Sequence, residues 1–376
     1  MSAANTRQVL VMGGDGIGPE IIAQAERVMD WLDDRRGSPI LRMHALIGGI
    51  AIDQEGAPIS EATMKLAREA DAILFGAVGG PQWESLPFDQ RPERGILRIR
   101  KELDLFGNIR VTRTYDALIE ASTLRPEVVR GLDIIILREN VGGMYFGEPR
   151  GIREASDGSL YGINTHLYTD AQIRQVGRLA FELARTRRSK VCSVDKANVM
   201  ESGELWRRRM QELRDADYPD VELTHMYADN CAMQLVRRPS QFDVIVTDNL
   251  FGDILSDCAA MLAGSLGMLP SASVGGKRPD GSRMALYEPI HGSAPDIAGK
   301  SLANPLATIL SLAMMLRMSF GLDKEAELVE AAVESALNEV ATADILRPGI
   351  RRVTTQEMGD AVLGRLNTLA GNFSHR

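Results

Sequence analysis

Cysteine is scarce: Cys192, Cys231 and Cys258 are the only three in 376 residues, and their separations match no metal-ligand spacing. That excludes a disulfide framework and a thiolate zinc centre as the basis of the fold, and leaves buried thiols in a reducing compartment as the expectation. Nor is there an excess of basic residues. With 43 Lys and Arg against 51 Asp and Glu the formal charge is -8, so no general affinity for nucleic-acid phosphates or anionic membrane surfaces is expected. The stretch Met1 to Gln8 is polar and leads into an apolar run of strand length only, which provides neither a signal-peptide core nor a membrane span. A cytoplasmic location is expected. Repeats, low-complexity tracts and an obvious flexible linker are also missing, so any lobes should be joined by strands or helices crossing between them.

What is present is an ordinary globular composition, 44% hydrophobic and 25% charged, in a chain long enough for two domains or lobes. Short β-rich runs alternate with amphipathic stretches. Gln8 to Met12 precedes a helical pattern over Pro19 to Asp34, and Ala72 to Phe75 follows one over Ser60 to Ala70. The alternation predicts an α/β fold. Asp133 to Leu137, Lys190 to Val194 and Asp243 to Thr247 are apolar enough to be covered on both faces, which predicts central strands. Thr169 with Gln172, and Thr354 with Glu357, have capping-box spacing. Between Glu148 and Tyr168 lies a polar, glycine-containing stretch that suits either a loop or an arm.

The most informative segment runs from Asp243 to Asp257: a buried-type strand, a turn, and a helix expected to open near Gly252. Asp253 and Asp257 stand at i and i+4, one turn apart on one helix face, where they repel unless a cation lies between them. Mg²⁺ or Mn²⁺ takes such oxygen ligands and keeps positions open for a substrate. The same spacing also suits a helix-start aspartate and a solvated one. Lys196 falls just past a strand, where it would serve either as a base or as a solvated strand-end lysine. Asp229, in Tyr-Ala-Asp-Asn-Cys, reads as a ligand, a surface residue or, by default, a helix cap. Arg100, Arg110 and Arg138 are of the type that grips carboxylates in bidentate fashion, although each alone also suits a surface ion pair. Tyr145, in a glycine-rich turn, is either a proton donor or a packing residue.

Two glycine-rich stretches invite a nucleotide reading. Gly14, Gly16 and Gly18 follow a strand and precede a helix but miss the G-x-G-x-x-G fingerprint, so a Rossmann reading is unfounded. The second, Glu288 to Lys300, places His291 and Asp296 in a loop shaped by Gly and Pro; an acidic side chain there suits the free ribose hydroxyls of NAD and repels the 2′-phosphate of NADP.

Taken together, nine segments match one pattern: Gly14 to Glu20, Gly76 to Pro81, Arg91 to Leu97, Asp104 to Asn108, Tyr145 to Gly151, Ser193 to Asn198, Asn249 to Asp257, Gly267 to Ala272 and His291 to Lys300. The chain thereby resembles the isocitrate/isopropylmalate dehydrogenase family of metal-dependent β-decarboxylating dehydrogenases over nearly its whole length. The resemblance implies a two-lobed, open, non-Rossmann α/β fold with a small β arm. One lobe, residues 1–106 and 264–376, would hold NAD. The other, 107–263, would carry dimerisation, the metal and much of the substrate site, with the arm near 148–168 and the active site in a cleft between lobes.

Residue by residue, the resemblance implies that Arg100, Arg110 and Arg138 hold the carboxylates of a small hydroxy-dicarboxylate. Asp253 and Asp257 would bind the metal together with Asp229 from the other subunit of a homodimer, and Lys196 would likewise cross the interface. Lys196, Tyr145 and Asp229 would be catalytic. NAD would lie on His291, Gly292, Ser293, Ala294 and Asp296, with Ile297 and Asn304 near the adenine. Glu93, Ile96, Leu97 and the second subunit's Val199 would border the substituent that distinguishes substrates. The three apolar members suit an isopropyl group, which favours 3-isopropylmalate, its conversion to 4-methyl-2-oxopentanoate and CO₂, and a place in leucine biosynthesis. Asn140-Val141 stands where Leu-Thr is usual, and Asn140 is similar to relatives acting on isocitrate, tartrate or malate, which makes D-malate or tartrate the alternative substrate. Val111, Gly13 and His166 also depart from the usual pattern. A catalytically silent carboxylate- or nucleotide-binding homologue is the competing reading from another class.

Overall fold

The structure, a computed structural model, describes residues 7–36, 39–122, 124–278 and 281–373. It is a mixed α/β chain. In order, its strands are β1 (Gln8–Gly14), β2 (Leu41–His44), β3 (Ala72–Ala77), β4 (Gly107–Arg113), β5 (Asp133–Glu139), β6 (Gly151–Glu154), β7 (Leu160–Ile163), β8 (Lys190–Asp195), β9 (Glu222–Tyr227), β10 (Val244–Thr247), β11 (Pro270–Lys277), β12 (Arg283–Pro289), β13 (Val340–Ala341) and β14 (Arg351–Arg352). The chain divides into two compact units: Met1–Leu105 with Thr114–Thr123 and Ala263–Arg376, and Phe106–Arg113 with Leu124–Leu262.

In the first unit the strand order is β2-β1-β3-β12-β11. β1 is parallel to both β2 and β3, β12 is parallel to β3, and β11 runs antiparallel to β12. Leu10, Met12, Ile73 and Phe75 point into a core that also takes Ile96 and Ile99 from the helix Glu93–Glu102. The helix Leu306–Met318 is buried over eleven consecutive residues, Leu306 to Leu316, as its uninterrupted apolar sequence requires.

In the second unit the order is β4-β5-β10-β8-β9. β10 is parallel to β5 and β8, β8 is parallel to β9, and β4 is antiparallel to β5. The three runs read as central strands, β5, β10 and β8, are the interior strands of this order, covered on both faces along their apolar stretches. The helix Asp170–Arg185 turns Ile173, Val176, Ala180 and Phe181 inward and opens on the expected Thr169–Gln172 capping box. Thr354 and Glu357 form the other: Thr354 Oγ1 accepts from the Glu357 N–H, and Glu357 Oε2 accepts from the Thr354 N–H at 2.8 Å. The stretch left open between loop and arm contains the antiparallel hairpin β6–β7, paired Gly151 to Ile163 and Glu154 to Leu160.

Two expectations need correction. The helix expected near Gly252 opens three residues earlier, as Asn249–Ala260, because Asp248 Oδ1 accepts from the Phe251 N–H at 2.7 Å and caps it. Of the thiols expected to be buried, Cys192 and Cys231 are, but Cys258 is exposed on that same helix.

Candidate active site

Strand register gathers the second unit's charged groups. Thr247 is paired with Arg138 on one side and Val194 on the other, and Asp195 with Tyr227. The C-terminal ends of four parallel strands therefore align, and these ends present Arg138, Lys196, Asp229 and the capped start of the helix Asn249–Ala260. Open α/β sheets place functional groups there because the chain leaves each strand into a loop or helix N-terminus. Arg110 enters from β4, two residues along the same face from Asn108, which is paired with Arg138.

The helix Asn249–Ala260 presents Asn249, Asp253, Ser256 and Asp257 at i, i+4, i+7 and i+8, one face. Arg138, 3% exposed, donates through Nε and Nη2 to Asn249 Oδ1 at 3.0 and 2.7 Å, and through Nη1 to Asp253. Arg110 donates to Asn108 Oδ1 at 2.8 Å, Ser256 Oγ at 2.6 Å and Asp257 Oδ1 at 3.2 Å, and its Nη2 lies 3.1 Å from Asp253 Oδ1. Gly252 permits the close approach: a Cβ there would come within 2.7 Å of Arg138 Cβ. The Tyr145 hydroxyl donates to Asp253 Oδ2 at 2.9 Å. Burial, with the Asp253 carboxylate beside it, pushes the Tyr145 phenol up and keeps its proton on.

Partial burial raises the Asp257 carboxyl; Arg110 opposes that shift and the neighbouring Asp253 charge adds to it. Two like charges one turn apart, both with oxygen donors, form a set that a hard divalent cation fits. Among the described residues, however, no group of three His, Cys, Asp or Glu side chains capable of holding a metal forms. Asp229 lies elsewhere, with Lys196 Nζ donating to its Oδ1 at 2.7 Å, and that hydrogen bond holds the Asp229 carboxyl below the usual range. Its expected default as a cap is corrected: Tyr227 is the N-cap, and Asp229 is the second residue of the helix Ala228–Arg237. A complete set of metal ligands thus needs a carboxylate from outside the Asp253–Asp257 cluster.

The other candidates lie in the first unit, apart from the exposed Val199. Arg100 Nη2 donates to Glu288 Oε1 at 2.7 Å, while its Nε is buried without a partner, an N–H that a carboxylate would satisfy. Ile96 is a core residue, 6% exposed, whereas Leu97 is half-buried and Glu93 exposed. On the loop after β12, Ala294 adopts a positive φ of 39° and Asp296 is exposed. His291 Nδ1 lies 3.0 Å from the Gly292 carbonyl, its Nε2 is buried without a partner, and burial lowers the imidazole, keeping it neutral. A loop with an exposed glycine at Gly292, an exposed carboxylate at Asp296 and an orphaned ring nitrogen at His291 fits a nucleotide. Ile297 packs with Ile17, Ile21 and Ala303, and Asn304 is buried, donating to Asp344 Oδ2 at 3.0 Å and accepting from the Leu306 N–H.

The first glycine stretch is the floor of this loop. The Ile17 N–H donates to the Ser293 carbonyl at 2.9 Å, and at Gly16 (φ 59°) a Cβ would fall 2.0 Å from that oxygen. Asp15 anchors the stretch by accepting from the N–H groups of Gly49, Ile50 and Gly79, each at 2.8 Å. Sequence reasoning missed Asn108, Asn249 and Ser256, the groups that orient the two arginines. Asn249 opens a motif already singled out, and its i−4 relation to Asp253 was the available signal.

The family model described as isocitrate/isopropylmalate dehydrogenase matches residues 8–362. The chain belongs to this family. A 3-isopropylmalate dehydrogenase of Rhodospirillum rubrum is 58% identical over 367 residues, 97% of this chain and 99% of the relative. One from Gluconobacter oxydans is 57% identical, covering 96% and 99%. Among solved structures, the isocitrate dehydrogenase of Methylococcus capsulatus superposes with a TM-score of 0.84 at 30% identity, covering 96% of this chain and 99% of that one. As a member of the isocitrate/isopropylmalate dehydrogenase family the chain is an oxidoreductase acting on a small molecule, a class that fits NAD and a divalent metal. No helix among its described residues is long and apolar enough to cross a membrane.

Proposed function

We propose that the chain catalyses the NAD-dependent oxidative decarboxylation of 3-isopropylmalate to 4-methyl-2-oxopentanoate and CO₂, a step of leucine biosynthesis, in the cytoplasm. The observation that carries this reading is the cluster in which Arg110 and Arg138 flank Asp253 while the Tyr145 hydroxyl bonds to the same carboxylate. The names of the 57–58% identical relatives support the choice of acid. Arg100, Arg110 and Arg138 bind the substrate carboxylates, and Asp253 and Asp257 hold Mg²⁺ or Mn²⁺ with Asp229 of a second copy. When bound, the cation supplies positive charge for the substrate C2 oxygen, and NAD supplies a hydride acceptor.

Lys196 of the second copy, whose Nζ lies 2.7 Å from the Oδ1 of its own Asp229, accepts the 2-hydroxyl proton. As C2 becomes a carbonyl, the bond from C3 to its carboxylate can break, because its electron pair delocalises into that carbonyl. Tyr145, whose proton is retained by burial beside Asp253, delivers it to C3. His291, Gly292, Ser293, Ala294 and Asp296 hold NAD, with Ile297 and Asn304 behind them. Leu97 and the second copy's Val199 offer apolar contact to the isopropyl group, with Ile96 supporting Leu97 from the core and Glu93 at the rim.

A homodimer belongs to this reading. Met233 and Val236 on the helix Ala228–Arg237, Ile254 and Met261 in and just after Asn249–Ala260, and Ile152 and Leu160 on the β6–β7 hairpin are exposed apolar side chains, up to 80% at Ile152. Such a set on one monomer is the composition of an interface; sedimentation as a single chain at micromolar concentration would count against it. Asn140-Val141 favours a second substrate reading, D-malate or tartrate. NADH formation measured side by side with Mn²⁺ and each acid decides: 3-isopropylmalate is expected to give the highest kcat/KM, and a higher value for D-malate overturns the choice. NAD binding without turnover of any acid would instead mark a silent homologue.

A further inference from the structure

Behind the Arg138–Asp253 cluster lies a buried carboxylate that the chemistry above does not use. Glu139, the last residue of β5, is 0% exposed. It accepts from the N–H groups of Val141 at 3.0 Å and Gly142 at 2.9 Å, and from the Tyr168 hydroxyl. Tyr168 in turn accepts, at 2.9 Å, the N–H of Asn249, the first residue of the helix that carries Asp253 and Asp257. Asn249 closes the circuit by accepting from Arg138 and donating through Nδ2 to the Gly142 carbonyl at 3.1 Å. Gly142 lies against Tyr168, where a Cβ would come within 2.7 Å of the ring, and the turn Gly143–Tyr145 follows directly.

Three pieces thus meet on one hydroxyl and one carboxylate: the strand end bearing Arg138, the turn bearing Tyr145 and the helix bearing Asp253. Desolvating a carboxylate is costly, and a hydrophobic filler would serve packing equally well. What a filler would not do is fix the relative positions of two backbone N–H groups, a phenol and a helix start, which a fully satisfied buried network does. The surroundings hold the phenol in place. His166 and Trp206 pack edge-on against the Tyr168 ring at 5.2 and 5.5 Å, and His166 is held by Asp248 Oδ2 and Ser202 Oγ, each at 2.9 Å.

We propose that Glu139 and Tyr168 are a positioning pair that sets Tyr145 and Arg138 against Asp253 for proton delivery and carboxylate binding. The inference rests on the oxidative decarboxylation proposed above. The test compares the full-length parent with Tyr168→Phe, Glu139→Gln and the double variant, using NAD, Mn²⁺ and whichever hydroxy acid the parent turns over. Failure of the substrate reading then shows in the parent, and failure of this inference in the ratio of variant to parent. Tyr168→Phe removes only the hydroxyl and retains the ring between His166 and Trp206.

The expected result for each single variant is a fall of about 10–100-fold in kcat/KM for the hydroxy acid with the KM for NAD unchanged. The double variant should lose little beyond the worse single one, since both cut the same circuit. A merely structural role predicts that the losses multiply and follow the melting temperature, with NAD and hydroxy-acid kinetics impaired together. That outcome overturns the proposal. So does parental kcat/KM in either single variant.

Discussion

In the unit built on β4, β5 and β8 to β10, charge is concentrated and already paired before any ligand is considered: Arg138 and Arg110 bracket Asp253, and Lys196 meets Asp229. In the other unit the candidate cofactor loop has little such pairing. It consists of an exposed Gly292, a half-buried Ala294 with a positive φ, an exposed Asp296 and an imidazole with one unpartnered nitrogen. The contrast suits the two tasks proposed for these regions. Transferring protons and stabilising developing charge need groups fixed to within a fraction of an ångström, which regular strands and a capped helix supply. Gripping a nucleotide needs main-chain atoms that can approach closely, which a glycine- and proline-shaped loop supplies.

The contrast is broken most severely by Asp253→Asn. It removes the negative charge that Arg110 and Arg138 bracket and that faces the Tyr145 hydroxyl, and turnover should fall by at least about 100-fold. Titration with Mn²⁺ should show affinity weakened by about 10–100-fold; an unchanged metal requirement would contradict the assignment. A smaller effect should separate the units cleanly. Asp296→Ser should raise the KM for NAD about tenfold, the loss of one charge-assisted hydrogen bond, while leaving the hydroxy-acid KM in place. Steady-state kinetics in both substrates checks this, and a change confined to the hydroxy acid would remove Asp296 from the cofactor site.

The mildest test concerns stability. Burial raises the Glu139 carboxyl from 4.5 to about 7, so between those values the folded chain binds more protons than the unfolded one. The group's contribution to stability therefore declines as pH rises through that window, by about 3 kcal/mol at most. Denaturant unfolding across the window should show this slope, and Glu139→Gln should flatten it. An equal slope in the variant would mean that Glu139 does not titrate there.

Much of this was legible in the sequence. The apolar runs at Asp133, Lys190 and Asp243 announced interior strands because period and composition are local properties. Both capping boxes were readable because the partners are three residues apart. The i, i+4 placement of Asp253 and Asp257 survived even though the helix starts at Asn249. Less visible were contacts between residues far apart in the chain: Arg100 with Glu288, Gly16 beneath Ser293, and Arg110 with Ser256. Ile96 shows the limit from the other side, since its position in a familiar motif says nothing about its burial in the first unit's core.

By itself the amino-acid sequence determined the alternation of strands and helices, the family pattern and the one helix face carrying two carboxylates, all set by spacing along the chain. Only the tertiary structure decided which residues hold that face in place. Strand register aligned Arg138 with Lys196 and Asp229, and the packing of Tyr168 against Glu139 and Asn249 joined segments as much as 110 positions apart. Hydrogen-bond directionality operates in space, and nothing in local sequence encodes where a buried hydroxyl will find its partners.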